Sequence, residues 1–139
     1  MIEAALRARR EDLVRRHIAV EFEGDAEALI ATFAHPRYDL VATNTVLVGA
    51  EQVAQRVHAL AEQMPGATMD LASFRHADDA VIVETVTRGF HTGPLLGMPP
   101  TGKPYFTRGV AIFRFKGTDL VEEIVYYDRL SLMEQLRPD

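Results

Sequence analysis

The chain has no cysteine among its 139 residues. Disulfides, thiolate nucleophiles and sulfur-ligated metals are therefore excluded. It has no surplus of positive charge either: the formal net charge is −5, which argues against a dedicated nucleic-acid binder, since phosphate contacts need a basic surface. The one basic cluster, Arg7, Arg9, Arg10, Arg15 and Arg16, is interleaved with Glu3, Glu11 and Asp12 and reads as the solvated side of a helix. No apolar run approaches the roughly 18 residues of a membrane span. No short apolar core with a small-residue cleavage site opens the chain, so a cytoplasmic protein is expected. The five histidines form no HExxH or HxxxH pair, and there is no GxSxG elbow. Neither a metal nor a cofactor is expected.

What is present is ordinary for a globular protein: 47% hydrophobic and 25% charged residues. Repeats, low-complexity tracts and linkers are missing, so residues 1–139 are expected to form one domain. Apolar residues at Ile2, Leu6, Leu13, His17 and Val20 predict a helix from about Ile2 to Phe22. Gly24 breaks it, Asp25 is a fitting N-cap for a short second helix, and Pro36 ends that one. Tyr38–Asn44 reads as a short strand. Val53, Val57, Leu60 and Met64 predict a third helix over Ala50–Met64, stopped by Pro65-Gly66. From Ala67 the pattern turns to strand. "TMDLASFRH" and "AVIVETVTRGFHT" flank "ADD", and "YFTRGVAIFRF" meets "LVEEIVYYD" across "KGTD", which gives two long hairpins. Helices gathered before an antiparallel sheet, with a short one after it, make the fold class α+β.

"GMPPTGK", Gly97–Lys103, matches the first seven positions of a phosphate-binding loop. The eighth is Pro104 instead of Ser or Thr, Pro99 and Pro100 offer no N–H, and a strand follows where a helix is required. The stretch reads as a stiff crossover between strands.

Alternation sorts the long strands into faces. In the last strand Leu120, Glu122, Ile124, Tyr126 and Asp128 share one side, and Val121, Glu123, Val125 and Tyr127 the other. Val81, Val83, Thr85, Thr87, Gly89 and His91 alternate with Ile82, Glu84, Val86, Arg88 and Phe90. Tyr105, Thr107, Gly109, Ala111 and Phe113 alternate with Phe106, Arg108, Val110, Ile112 and Arg114. Gly109 and Ala111 leave room for a helix or a ligand, and a β-bulge would flip such assignments downstream. His17, on an apolar stripe, reads as a satisfied core histidine. Arg88 and Arg108 read equally as exposed residues paired with Glu84 or Glu122. Asp128 stands where the final strand hands over to "RLSLMEQL", and these residues leave two readings open: helix N-cap, or acid/base group at a pocket mouth.

"YDLVATNTVLVGAEQV", "HTGPLLGMPPTGK", "VAIFRFKGTDLVEEIVYYDRLSLMEQL" and "EGDAEAL" together resemble the SnoaL-like polyketide cyclase and ester cyclase branch of the nuclear transport factor 2-like superfamily, over nearly the whole chain. The resemblance implies a cone, a strongly bent sheet wrapped around helices with a pocket in its open end, and a homodimer through the sheet. It also implies an aspartate late in the last strand acting as general acid/base in an intramolecular aldol closure without cofactor. Asp128 matches that position, and Asn44 and His91 are candidates for its polar asparagine and histidine partners. A carboxylate among Tyr126, Phe90 and Phe113 would be desolvated, with Tyr38, Tyr105, His91 or Arg108 as donors to an enolate oxygen. The expectation is a cofactor-free cyclase or isomerase acting on a hydrophobic carbonyl compound. The alternatives are a non-catalytic small-molecule binder and an association module.

Overall fold

A computed structural model describes residues 2–139. Four helices and six strands follow one another as α1 Ala4–Phe22, α2 Ala26–Ala31, β1 Arg37–Leu40, β2 Thr45–Val48, α3 Ala50–Gln63, β3 Thr68–Ala77, β4 Ala80–Phe90, β5 Pro104–Lys116, β6 Asp119–Tyr127 and α4 Arg129–Gln135. One sheet takes all six strands in the order β2-β1-β6-β5-β4-β3. Only the β1–β6 pair is parallel; the remaining neighbours are antiparallel. The sheet is not closed, and the α+β class with N-terminal helices on one face is as expected.

The first three helices form for the reasons the sequence gives. Asp25 accepts the Ala28 N–H at 3.0 Å and caps α2. Val53 and Val57, one turn apart on α3, are fully buried. They join Val14, Ile18, Leu29, Phe33, Val81, Val83, Phe113 and Leu120 in the main core, where each such aliphatic side chain contributes about 1.5–3 kcal/mol by leaving water. The stripe on α1 differs from expectation. Its buried residues are Arg10, Val14, His17, Ile18 and Glu21, so three of the five are polar and the hydrophobic pattern alone points to a neighbouring face.

The expected strand Tyr38–Asn44 ends at Leu40, and a second strand starts only beyond Asn44. The chain leaves β1 after Leu40, makes a single turn of 3-10 helix over Val41–Thr43, and reverses at Asn44 in the left-handed conformation (φ 51°). Asparagine tolerates this geometry better than most residues. β2 then pairs antiparallel with β1, Leu40 opposite Thr45.

Register in the long hairpins shifts twice, between Leu71 and Ser73 on β3 and between Arg114 and Phe115 opposite β6. On β6 the partners jump from Leu120 to Glu122, which leaves Val121 as the extra residue. Leu120 therefore shares the helix-facing side with Glu123, Val125 and Tyr127 rather than with Glu122. Glu122 lies on the outer face and pairs with Arg37 (2.7 Å) and Arg114 (3.1 Å). Arg88 faces Asp70 rather than Glu84 or Glu122, and Glu84 is held by Arg75, with Arg108 close enough to add to the stabilisation of its charge. The Gly97–Lys103 stretch is a crossover into β5, with no helix behind it.

Arg10 ties the two hairpins to α1. Its Nε donates to Gly117 O in the β5–β6 turn and its Nη1 to Asp78 O in the β3–β4 turn, each at 2.9 Å, while the guanidinium lies 5.2 Å from the Phe115 ring centroid. Replacing Arg10 by Met keeps most of the apolar stem and removes both charged donors. Urea unfolding is expected to show a loss of about 2 kcal/mol at unchanged m-value, from the range for hydrogen bonds to charged groups. A loss below about 0.5 kcal/mol, the usual range for inconsequential surface changes, would show that the clamp carries no stability.

Candidate active site

Between the concave face of the sheet and α3 lies a cavity of about 310 Å³, at the lower end of the range for small-molecule sites. One wall comes from the helices: Leu60 and Met64 of α3, Leu132 of α4, and Leu95 and Leu96 of the crossover. The other is the sheet, with Met69 of β3, Thr85 and Thr87 of β4, Thr107 and Gly109 of β5, and Val125 and Tyr127 of β6. Charge enters through two residues only among those lining it, Glu21 at the end of α1 and Arg56 of α3. Gly109 is required where it stands. A Cβ there would come within 2.5 Å of the Tyr126 carbonyl oxygen and 3.2 Å of Thr85 Oγ1, so the inner face has no room for a side chain at this position.

Glu21 is the outermost member of a polar cluster in the core. Its Oε1 accepts from Arg56 Nη1 at 2.5 Å. Its Oε2 lies 3.6 Å from His17 Nε2 and accepts from the Tyr38 hydroxyl at 3.4 Å. Behind it His17 Nε2 is 2.7 Å from Glu123 Oε1 and 3.1 Å from the Tyr38 oxygen. His17, Tyr38, Glu21 and Glu123 are 0%, 0%, 5% and 3% exposed, so none of these groups has water as a fallback partner.

The hydrogen bonds assign part of the proton inventory. The Thr32 hydroxyl donates to Leu29 O at 2.6 Å, so it accepts from His17 Nδ1–H at 2.7 Å. With Nδ1 protonated, the contact between Nε2 and Glu123 needs one further proton, carried by the ring or by the carboxyl group. Either way the cluster is neutral overall, with Glu21 balanced by Arg56 and one proton shared between His17 and Glu123, and that makes its burial tolerable.

Burial pushes the Tyr38 phenol well above its usual pKa, and the neighbouring Glu21 and Glu123 carboxylates push it further while Arg56 opposes them. For Arg56 burial works against the charge, but the Glu21 carboxylate and then Tyr38 and Glu123 more than offset it and raise the guanidinium above its ordinary value. The Arg56 guanidinium also stacks 4.4 Å from the Tyr38 ring centroid.

His17, Glu21 and Glu123 each offer a ligand atom, all within 4.8 Å of one another. As a divalent-metal site the set fits poorly. Arg56 already neutralises Glu21, and a cation among the three ligands would face that guanidinium across a single carboxylate.

The sequence-predicted residues fall elsewhere. Asp128 is exposed; its Oδ1 accepts the Ser131 N–H at 3.0 Å and caps α4, and it does not line the cavity. The reason is parity: on the helix-facing side β6 ends with Tyr127, and the next residue turns outward into the cap. Asn44 is exposed in its turn and Arg108 is exposed on the outer face. His91 is 1% exposed, but Thr101 N–H donates to its Nδ1 at 3.2 Å and its Nε2 bonds Met98 O at 3.2 Å, so the ring staples the crossover. Tyr105 packs with Leu95, Leu132 and Leu136 across Gly89, beside a second, shallower hollow. Tyr38 belongs to the buried cluster. Of the seven, Tyr126 alone borders the cavity, where its carbonyl oxygen lies beside Gly109. Glu21, Arg56 and Glu123 were missed. The available signal was the His17–Glu21 spacing of one helical turn and a carboxylate on each face of the apolar strand "LVEEIVYY".

The two raised tyrosines have a measurable consequence. Below the unfolded pKa of about 10 both states are neutral and stability is intact. Above it the unfolded chain ionises while Tyr38 and Tyr105 resist, so stability falls as pH rises toward their folded values. Phenolate absorbance from these two residues is expected to appear only with unfolding, and Tyr38→Phe should shallow the alkaline stability slope. A slope unchanged in Tyr38→Phe would contradict the burial described.

Comparison with known proteins accords with this geometry. By fold the chain is similar to a candidate SnoaL-like polyketide cyclase from Jannaschia sp. CCS1, with TM-score 0.88 and 20% identity, covering 100% of this chain and 99% of that one. It is similar also to TsrD from Streptomyces laurentii (TM-score 0.79, 22% identity, 98% of each chain). A third similar structure is a Catenulispora acidiphila protein with a ketosteroid isomerase-like fold, solved with trimethylamine (TM-score 0.74, 20% identity, 89% and 91% covered). At these identities the likeness establishes the fold. Among curated proteins none matches the sequence. The family model for SnoaL-like polyketide cyclase matches residues 11–136, and the chain belongs to that family.

Proposed function

We propose that the protein is a cofactor-free acid/base enzyme of cyclase or isomerase type, acting on a hydrophobic, carbonyl-bearing small molecule held in the cavity. The observation that carries this reading is the Glu21–Arg56 pair, a carboxylate and a guanidinium opening together onto a hollow with no other charged lining residue. Glu21 is placed to take a proton α to a carbonyl, and Arg56 has further N–H groups for the oxygen on which negative charge develops. A substrate oxygen that recruits Arg56 loosens its hold on Glu21, so the base strengthens as the substrate seats. His17, Tyr38 and Glu123 hold Glu21 from behind and offer a route by which its proton can be shared. The apolar walls exclude water and keep a flexible substrate folded.

The test is α-proton exchange of 2-tetralone in deuterated buffer, followed by NMR. Glu21→Gln should lower the catalysed rate about 100-fold or more, within the range for a general base. Asp128→Asn should leave the rate unchanged and, because asparagine also caps, the stability too; Asp128→Ala should cost about 1 kcal/mol of stability alone. Loss of exchange in Asp128→Asn with Glu21→Gln unaffected would reverse the assignment. Tight ligand binding without exchange in any variant would favour the non-catalytic binder.

The outer face of the sheet supports a second part of the proposal, a homodimer formed through it. Ile82, Val86, Val110, Ile112 and Ile124 lie half-buried there, and Phe90, Phe106 and Tyr126 are 62%, 48% and 46% exposed. Ile82, Ile112 and Ile124 are register partners across β4, β5 and β6, and an apolar row of this kind supports an interaction surface. Analytical ultracentrifugation should give twice the chain mass for the wild type and the single chain mass for Ile112→Lys. A wild-type monomer at micromolar concentration would refute the dimer.

A further inference from the structure

The cavity's sheet wall is not uniformly apolar. Thr85, Thr87 and Thr107 stand on its concave side, 7%, 4% and 8% exposed, and all three line the cavity. Thr87 and Thr107 are direct partners across the β4–β5 pair, and Thr85 lies opposite Gly109 two residues on. Their hydroxyls therefore form one polar strip crossing two strands, with Leu60, Met64, Leu95 and Leu96 facing it from the helix side. At Gly109 no side chain covers Thr85, whose Oγ1 sits 3.2 Å from where a Cβ would be.

One member of the strip is in an unusual state. The Thr107 hydroxyl is enclosed and has no hydrogen-bond partner. A buried hydroxyl left unpaired is destabilising, and native chains keep few of them. Valine is nearly isosteric, favours strands as strongly, and would line the same wall without that cost. The oxygen itself is covered, but Thr107 lines the cavity, so a turn about its Cα–Cβ bond brings the hydroxyl to a ligand that supplies the missing partner.

We propose that Thr107, with Thr87 and Thr85 beside it, is the specificity-determining strip of the cavity. It selects ligands whose apolar body carries a hydroxyl or carbonyl oxygen along the edge facing β4 and β5. The proposal rests on the cavity being the ligand site, and it adds a second point of polar recognition to the charged Glu21–Arg56 end. A ligand satisfying both must be oxygenated on one edge and apolar on the other, which sets its orientation in the cavity. Analogues lacking the edge oxygen leave Thr107 unpaired, as it is without ligand, and forgo the hydrogen bond that an oxygenated ligand gains.

The experiment uses two probes that differ by one group, 2-naphthol and 2-methylnaphthalene, with binding followed by naphthalene fluorescence in the full chain. Thr107→Val should weaken 2-naphthol about three- to tenfold, the value of one neutral hydrogen bond, while 2-methylnaphthalene binds as well or better. Thr107→Ser should restore the wild-type preference. The ligand-free Thr107→Val protein should melt at a higher temperature than the wild type, because its orphan group is gone. An unchanged affinity ratio in Thr107→Val, or a lowered melting temperature without ligand, would overturn the strip while leaving the acid/base reading standing. If neither probe binds the wild type at millimolar concentration, the cavity is not the ligand site and both readings fall.

Discussion

Five structural elements meet at the His17 imidazole. Thr32 just after α2 binds one nitrogen; Glu123 of β6 and Tyr38 of β1 approach the other, and Glu21, one turn further along α1, brings in Arg56 of α3. Removing one partner from a buried set of charges costs several kcal/mol, because the charge left behind has no water to return to. The helices are therefore not free to slide on the sheet in the way that a purely apolar contact would permit. Phe33 and Phe113 enclose the imidazole edge-on, at 5.2 and 5.4 Å between ring centroids. Charge fixes the register, and the aromatic walls keep it dry.

That anchoring explains why a cavity survives in so small a molecule. Packing tends to close any apolar void. Here α3 is held near its middle by Arg56 in the cluster, and close to its C-terminal end by the crossover, where Gly93 has no space for a Cβ against the Glu62 carbonyl. Held at these two points, the second half of the helix cannot collapse onto Thr85, Thr87 and Thr107. Gly109, with no side chain, leaves the sheet side of the space open.

Much of this architecture is legible in the sequence. The helices on α1 to α3, both long hairpins and the crossover in place of a phosphate loop follow from periodicity, Gly and Pro placement and capping residues. The β1–β2 reversal is not, because it depends on a single left-handed asparagine inside a stretch of β-formers. The site was harder to see. Binary patterning assigns charged residues to solvent, so Arg10 was set on the solvated side of α1 although it is buried, and Glu21 and Glu123, buried too, were not singled out. On β6 one extra residue at Val121 moved Leu120 to the other side relative to its successors. Asp128 was drawn to attention by its position after "YY", and in the structure its carboxylate caps α4.

The crossover deserves a wider view through His91. Its ring and backbone hold Met98, Thr101, Gly102 and Lys103, and Lys103 in turn grips the chain terminus at Arg137 O and Asp139. The two leucines that wall the cavity, Leu95 and Leu96, ride on this braced loop without taking part in any strand. Lining and scaffold are thus separable inheritances. Descendants of such a chain are free to reshape what fits inside by exchanging two loop side chains, while sheet, helices and charge cluster pass on unaltered.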